Sequence, residues 1–241
     1  MSKVPDQPQD IYPRLTKAYQ KVFGRDLVSL IIYGSAASGH YVRGKSDINL
    51  LVVLTPDGAG RLDDALDIVQ YWRKRRVATP WIMTGSFIEK SLDSYPIEFL
   101  NLKTNHILIY GEDVLAPLQF SPENLRLQIE KELKGKLMLL RQGYLETEGQ
   151  TQQIRQLIGR SMTAFVSIFN AMIGLKGGVL RHERRETIKE TARLFTFNPD
   201  TFLTCVDIKE GTDRISGGEI ADVFKKYLRE VENICNIVDA L

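Results

Sequence analysis

The sequence has little of what covalent or metal frameworks are built from. Its 241 residues include two cysteines, Cys205 and Cys235, and three histidines. Neither set stands at ligand spacing, which excludes a zinc-cluster or disulfide scaffold and points to a reduced intracellular chain without a disulfide. Charge of one sign is also lacking: 32 Lys and Arg against 30 Asp and Glu leave a net charge of +2. That balance gives no electrostatic case for a long nucleic acid, so any phosphate binding must be local. No run approaches the length needed to cross a membrane, and the opening MSKVPDQPQD has no apolar signal core. The expectation is a cytoplasmic protein with no membrane partner.

What is present is an ordinary globular composition, 43% hydrophobic and 26% charged, in a chain long enough to bury a sizeable core. The first half alternates element types. After an amphipathic helix at about 10–23 come a strand over 27–33, a short helix near 35–40 and a strand over 48–54. A helix at about 60–76, a strand over 80–84, a helix at about 86–94 and a strand over 97–102 follow. After Phe120 the character changes. Ser121-Pro122-Glu123 supplies an N-cap, a proline at the first helical position and an acid in the first turn of a long helix reaching about Glu148. Helical patterns continue over 152–175, 182–196 and 199–209. The last opens at Ser216 with Glu219 completing a capping box, and runs to about Asp239. These patterns predict an α+β unit over 1–120, a mixed sheet with helices, and an all-α helical bundle over 121–241.

Within that frame, Leu27 to Leu54 concentrates the chemistry. The β-branched run Leu27–Tyr33 ends at Gly34-Ser35, followed by the small residues Ala36, Ala37, Ser38 and Gly39. Such a turn lets backbone N–H groups approach an anion closely, with the Ser35 hydroxyl as an extra donor. About a dozen residues on, Ser46-Asp47-Ile48-Asn49 leads into the apolar run Leu50–Leu54. Side chains alternate along a strand, so Asp47 and Asn49 share one face while Ile48 and Leu50 point to the other.

These residues resemble the DNA polymerase β-like nucleotidyltransferase superfamily, and an α/β half followed by a helical half is similar to the two-domain layout of kanamycin nucleotidyltransferase. The superfamily's mark is a strand, a Gly-Ser loop and a second strand with two acids one residue apart, joined by a third carboxylate from a later strand. Gly34 and Ser35 match the loop and Asp47 the first acid. Asn49 stands where the second acid is usual. Glu98, inside the apolar run Tyr95–Leu102 and read as part of a strand, is the natural match for the third. The resemblance covers roughly residues 25–118. It implies metal-dependent transfer of a nucleoside monophosphate from a nucleoside triphosphate to a hydroxyl-bearing acceptor, with release of pyrophosphate. Gly34, Ser35 and Ser46 would bind the nucleotide, Asp47, Asn49 and Glu98 would hold Mg²⁺ or Mn²⁺, and Asp47 and Glu98 would be catalytic. All are expected to line one cleft.

The departure at Asn49 keeps a second reading open. An amide oxygen can ligate a metal but brings no formal charge, so the chain could instead be a nucleotide-binding protein with little turnover that acts through a protein partner. A third reading makes the helical half an interaction module that binds no triphosphate. The acceptor, a small molecule or a protein, is left open, as are the base and whether the chain forms a homo-oligomer.

Other features have plainer explanations. Arg73-Lys74-Arg75-Arg76 closes a predicted helix, where cations suit the negative end of the dipole, so a solvated terminus is the leading account and nucleotide contact the minor one. Arg181-His182-Glu183-Arg184-Arg185 reads first as a surface run, with contact to an anionic acceptor or phosphate as the alternative. His40 and His106 read as capping or surface histidines; Tyr71, Trp72 and Trp81 are left unassigned between stacking on a base and filling the core, the commoner use of aromatics in an α/β domain.

Overall fold

In the computed structural model, residues 4–181 and 183–241 are described; Met1–Lys3 at the start of the chain and His182 of the basic run lie outside them. The chain forms two compact units. The first takes the described residues up to Asp93 together with Leu102–Gln119, and the second takes Ser94–Asn101 together with Phe120–Leu241. The sequence patterns place a single division after residue 120, whereas Ser94–Asn101 packs with the helical unit.

The first unit begins with α1 (Tyr12–Phe23), whose Leu15, Tyr19 and Phe23 recur every four residues on its buried face. The chain continues through β1 (Leu27–Tyr33), a 3₁₀ turn at Gly34–Ala36, β2 (Asn49–Leu54), α2 (Pro56–Ala59), α3 (Leu66–Arg73), β3 (Trp81–Thr84), α4 (Gly85–Lys90), α5 (Pro96–Thr104) and β4 (His106–Gly111). The sheet order is β3-β2-β1-β4. β1 is antiparallel to β2 and β4, while β2 and β3 are parallel. Leu30 and Ile32 of β1 and Leu50, Val52 and Leu54 of β2 pack with Leu15, Tyr19, Phe23 and Trp72 to form the core. The central strands are therefore anchored on one face, and alternation fixes what their other face presents.

Several expected elements differ. The run 97–102 is not a strand: it lies in α5, where the Ile97 N–H donates to Gln128 Oε1 (2.7 Å) and Ile97 packs in the helical core. The helix expected over 60–76 divides into a 3₁₀ stretch at Leu62–Ala65 and α3, and that over 86–94 ends at Lys90. The helix near 35–40 contracts to the 3₁₀ turn. β4 is a strand the patterns did not predict.

The second unit holds α6 (Pro122–Glu146), α7 (Thr151–Leu175), α8 (Arg184–Phe195), α9 (Asp200–Glu210) and α10 (Ile220–Asp239). Ser121 caps α6 as read, its Oγ accepting from the Asn124 N–H. An aromatic cluster forms the core: the Phe202 ring lies 5.0–5.9 Å from those of Phe165, Phe169, Phe197 and Tyr227. The Glu219 carboxylate accepts from the Ser216 N–H and hydroxyl (3.0 and 2.7 Å), but in a turn before α10, which starts at Ile220. Among the described residues no strand follows Phe120. Contrary to the expectation, α7 is long and apolar enough to span a membrane by length and composition. Its Ile154, Ile158, Met162, Phe165, Phe169 and Met172 nevertheless build the core of the helical unit.

Candidate nucleotide site

The site begins where β1 ends. Gly34 has a φ of +72°, a left-handed conformation that glycine adopts without a side-chain penalty, and it reverses the chain out of the sheet. The Ala37 and Ser38 N–H groups both donate to the Gly34 carbonyl at 3.0 Å, and the His40 N–H donates to that of Ser35 at 3.0 Å. The turn also needs glycine for space. A Cβ at Gly34 would sit 2.7 Å from Asn49 Nδ2. Asn49 opens β2 directly opposite Tyr33. The Gly-Ser turn and the Asn49 amide are thus in contact.

Alternation along the approach to β2 is as read. Ile48 and Leu50 are fully buried in the core, Asp47 is exposed and Asn49 is half-buried. The Ile48 N–H donates to the Arg76 carbonyl (2.7 Å), and its carbonyl accepts from the Ala78 N–H (2.9 Å). That pairing brings Arg76 to the rim. Arg76 Nε lies 3.1 Å from Asp47 Oδ1, and Arg76 Nη2 donates to the Lys45 carbonyl at 2.8 Å. The Nε–H is itself buried but not aligned on the carboxylate, so the pair is a charge contact rather than a hydrogen bond. The basic run 73–76 is therefore more than a solvated helix end: Arg75 stacks 3.6 Å over the Tyr71 ring, and Arg76 pairs with Asp47.

Ser46 braces the loop before Asp47. Its Oγ accepts from the Val42 N–H (3.0 Å), and its own N–H donates to the Val42 carbonyl (2.8 Å). The same loop is tied by an Arg43–Asp6 ion pair at 2.8 Å. No side-chain hydrogen bond engages the Ser35 hydroxyl among the described residues.

Two features here have no local sequence signal. Tyr33 and Trp81 pack at 5.4 Å, on the face that carries Asn49, and Trp81 is 40% exposed rather than a core residue. Burial pushes the Tyr33 phenol up to about 12. Trp72, by contrast, is in the core. His106, opposite Tyr33 on the β4 side, has structural partners: Nδ1 faces the Leu102 and Lys103 carbonyls and Nε2 lies 3.1 Å from Asp113 Oδ2. Burial raises the Asp113 carboxyl, but hydrogen bonds from His106 and from the Ala116 and Leu115 N–H groups outweigh it and hold it below its ordinary value.

Gly34, Ser35, Ser46, Asp47 and Asn49 thus lie in the first unit, while Glu98 lies in the second, on a helix instead of a strand. Glu98 Oε2 accepts from Gln128 Nε2 at 2.7 Å. Among the described residues no three His, Cys, Asp or Glu side chains gather as a metal cage. Beside the Gly34 turn stand the exposed Asp47 carboxylate and the Asn49 amide oxygen. That set suits Mg²⁺ arriving with a triphosphate, since Mg²⁺ typically takes one or two carboxylates and completes its shell with phosphates and water. The run after Arg181 is a surface network, with Arg184 on Glu210 and Arg185 on Asp207 and Glu210.

A mixed sheet with helices and an all-α unit make an α+β fold, the fold of the adenyltransferase to which the chain is similar. The chain is similar in fold to spectinomycin adenyltransferase AAD(9) from Enterococcus faecialis, solved with ATP and spectinomycin. The TM-score is 0.51 over 95% of this chain and 98% of that one, at 12% identity. No protein-family model matches the sequence, and no curated protein does.

Proposed function

We propose that this chain is a nucleotidyltransferase that moves a nucleoside monophosphate from a nucleoside triphosphate to a hydroxyl on a small acceptor. The observation that carries the reading is the contact of the Gly34-Ser35 turn with Asn49, two residues from the exposed Asp47, in a fold shared with an adenyltransferase solved with ATP. In the reaction the acceptor oxygen bonds to the α-phosphorus, the bond to the bridging oxygen breaks, and pyrophosphate leaves with that electron pair. The turn at Gly34 admits phosphate oxygens close to the backbone, with the Ser35 hydroxyl as a donor. Asp47 and the Asn49 amide oxygen would hold Mg²⁺, which when bound neutralises phosphate charge and polarises the scissile bond. Trp81 offers a flat apolar surface on the Asn49 side of the sheet, suited to stacking a base. The resemblance assigns the proton of the acceptor hydroxyl to the Glu98 carboxylate.

Asn49, together with the Arg76-paired Asp47, also supports the reading of a nucleotide-binding protein with little turnover. Pyrophosphate release separates the two. The test combines calorimetric titration of each nucleoside triphosphate with Mg²⁺ and a pyrophosphate assay over a panel of hydroxylated small molecules. Metal-dependent binding that vanishes in Asp47→Asn supports a nucleotide site, and pyrophosphate released only with acceptor supports the transferase. Equal binding by Asp47→Asn would remove Asp47 from the site. The fold of that variant should be intact, with stability within about 0.5 kcal/mol of the unaltered chain, because the side chain is exposed.

A further inference from the structure

Arg76 stands at the rim of the proposed site, and the proposed reaction gives it no role. It is also held in an unusual way. Its φ of 65° is left-handed, which costs a non-glycine residue about 1–2 kcal/mol and persists only where the surroundings dictate it. They do so here. The Arg76 N–H donates to the Arg73 carbonyl (3.1 Å), its carbonyl accepts from the Ile48 N–H (2.7 Å), and Val77 bridges to Ile48. Glycine or asparagine would meet these backbone demands at lower cost. An arginine at this position therefore points to its side chain.

That side chain is incompletely matched. Nη2 has the Lys45 carbonyl, but the buried Nε–H has no aligned acceptor, although Asp47 Oδ1 is 3.1 Å away. Asp47 in turn stands against that guanidinium, and Asn49 adds no negative charge. A divalent cation arriving alone must therefore compete with a guanidinium for Asp47.

We propose that Arg76 is a phosphate-binding residue that exchanges partners: it holds Asp47 in the free protein and passes to the triphosphate when a metal–nucleotide complex takes Asp47. The exchange conserves charge pairing on both sides. The carboxylate trades a guanidinium for a metal ion, and the guanidinium trades a poorly aligned carboxylate oxygen for phosphate oxygens that its planar fork matches. The site consequently disfavours free divalent cations and selects them already bound to triphosphate. This rests on the nucleotidyltransferase reading and adds to it a cation that the protein itself supplies.

The test uses Arg76→Asn, which suits the left-handed backbone, and Arg76→Lys, which keeps the charge without the fork. Mn²⁺ alone is titrated by electron paramagnetic resonance, and ATP, GTP, CTP and UTP by calorimetry with Mn²⁺ present. Arg76→Asn should bind Mn²⁺ alone about tenfold more tightly and the preferred metal–triphosphate about tenfold more weakly, each about 1.4 kcal/mol. Arg76→Lys should leave Mn²⁺ binding near that of the unaltered chain and weaken the nucleotide by less. Thermal melting that does not fall in Arg76→Asn excludes general damage. Both affinities unchanged, or both moving the same way, would overturn the exchange. If the unaltered chain binds no triphosphate, the nucleotidyltransferase reading fails and the exchange fails with it; if it binds triphosphate through Asp47 while Arg76→Asn binds equally well, the exchange alone fails.

Discussion

The α-carbon of Gly34 lies against the Asn49 side chain so closely that one added methyl group would stand 2.7 Å from its amide nitrogen. Gly34→Ala must therefore both strain a left-handed backbone and displace the amide. The backbone strain costs about 1–2 kcal/mol. In an Asn49→Ala background the second effect disappears, so the double-mutant cycle should show a coupling of about 0.5–1 kcal/mol. Chemical denaturation of the four proteins measures it. Equal costs in both backgrounds would mean that the amide does not rest on the turn.

Asn49→Asp is nearly isosteric and should fit against Gly34 unchanged. In an enzyme adapted to Asn49 it tightens Mn²⁺ binding and alters turnover modestly. In a binding protein it raises pyrophosphate release greatly, by restoring a charge beside Asp47. Metal affinity and pyrophosphate release measured in both forms separate these outcomes. No change in either quantity would place Asn49 outside the metal site.

Glu98 has a structural partner as well as its proposed proton. Because Gln128 Nε2 donates to it, Glu98→Gln keeps an acceptor and should cost about 0.5–1 kcal/mol of stability. Turnover should fall by a factor of about 10²–10⁴ if the carboxylate takes the acceptor's proton. Turnover within twofold of the unaltered chain would leave Glu98 with its structural role alone.

The helical unit carries an acid-sensitive tie. The Arg155 guanidinium, bonded to both Asp213 oxygens at 2.8 Å, and the Ile215 N–H hold the Asp213 carboxyl below its ordinary value of 3.8, against the raising effect of burial. A depressed folded value contributes stability that is present above about pH 4 and lost as the pH falls through the folded value. Asp213→Asn should cost about 1 kcal/mol at pH 7, near the upper end for an ion pair that solvent partly screens. It should also flatten the acid limb of the stability profile. Urea melts at pH 7, 5, 4 and 3 test both, and a limb of undiminished slope in the variant would assign the acid sensitivity elsewhere.

How legible the molecule was in its sequence depended on how local each determinant is. Leu27–Tyr33 and Leu50–Leu54 read as strands because short, predominantly apolar runs bounded by Gly34 and by Ser46-Asp47 have few other uses. The apolar run after Tyr95 misled for the same reason. A short buried strand and a buried helix look alike in sequence, and the partner that satisfies the first-turn Ile97 N–H, the Gln128 side-chain oxygen, lies 31 residues away. β4 escaped because it is half-exposed and owes its pairing to β1, far away in the chain. Gly34, Asp47 and Asn49 could be read from motif and alternation. Arg76 could not, since neither its left-handed backbone nor its approach to Asp47 leaves a trace in the residues around it.

The path of the chain between its two units has a practical consequence. It leaves the first unit after Asp93, returns at Leu102 and leaves again after Gln119. A fragment ending at Gln119 would expose Ile97 without Leu125 and Ile129 to cover it, and would strip Gln128 from the Ile97 N–H. A fragment beginning at Phe120 would lack Ile97 and leave both ends of the Gln128 amide without partners. The two halves are stitched rather than strung together, so neither can be cut free, swapped or inherited alone without carrying the eight-residue stitch with it.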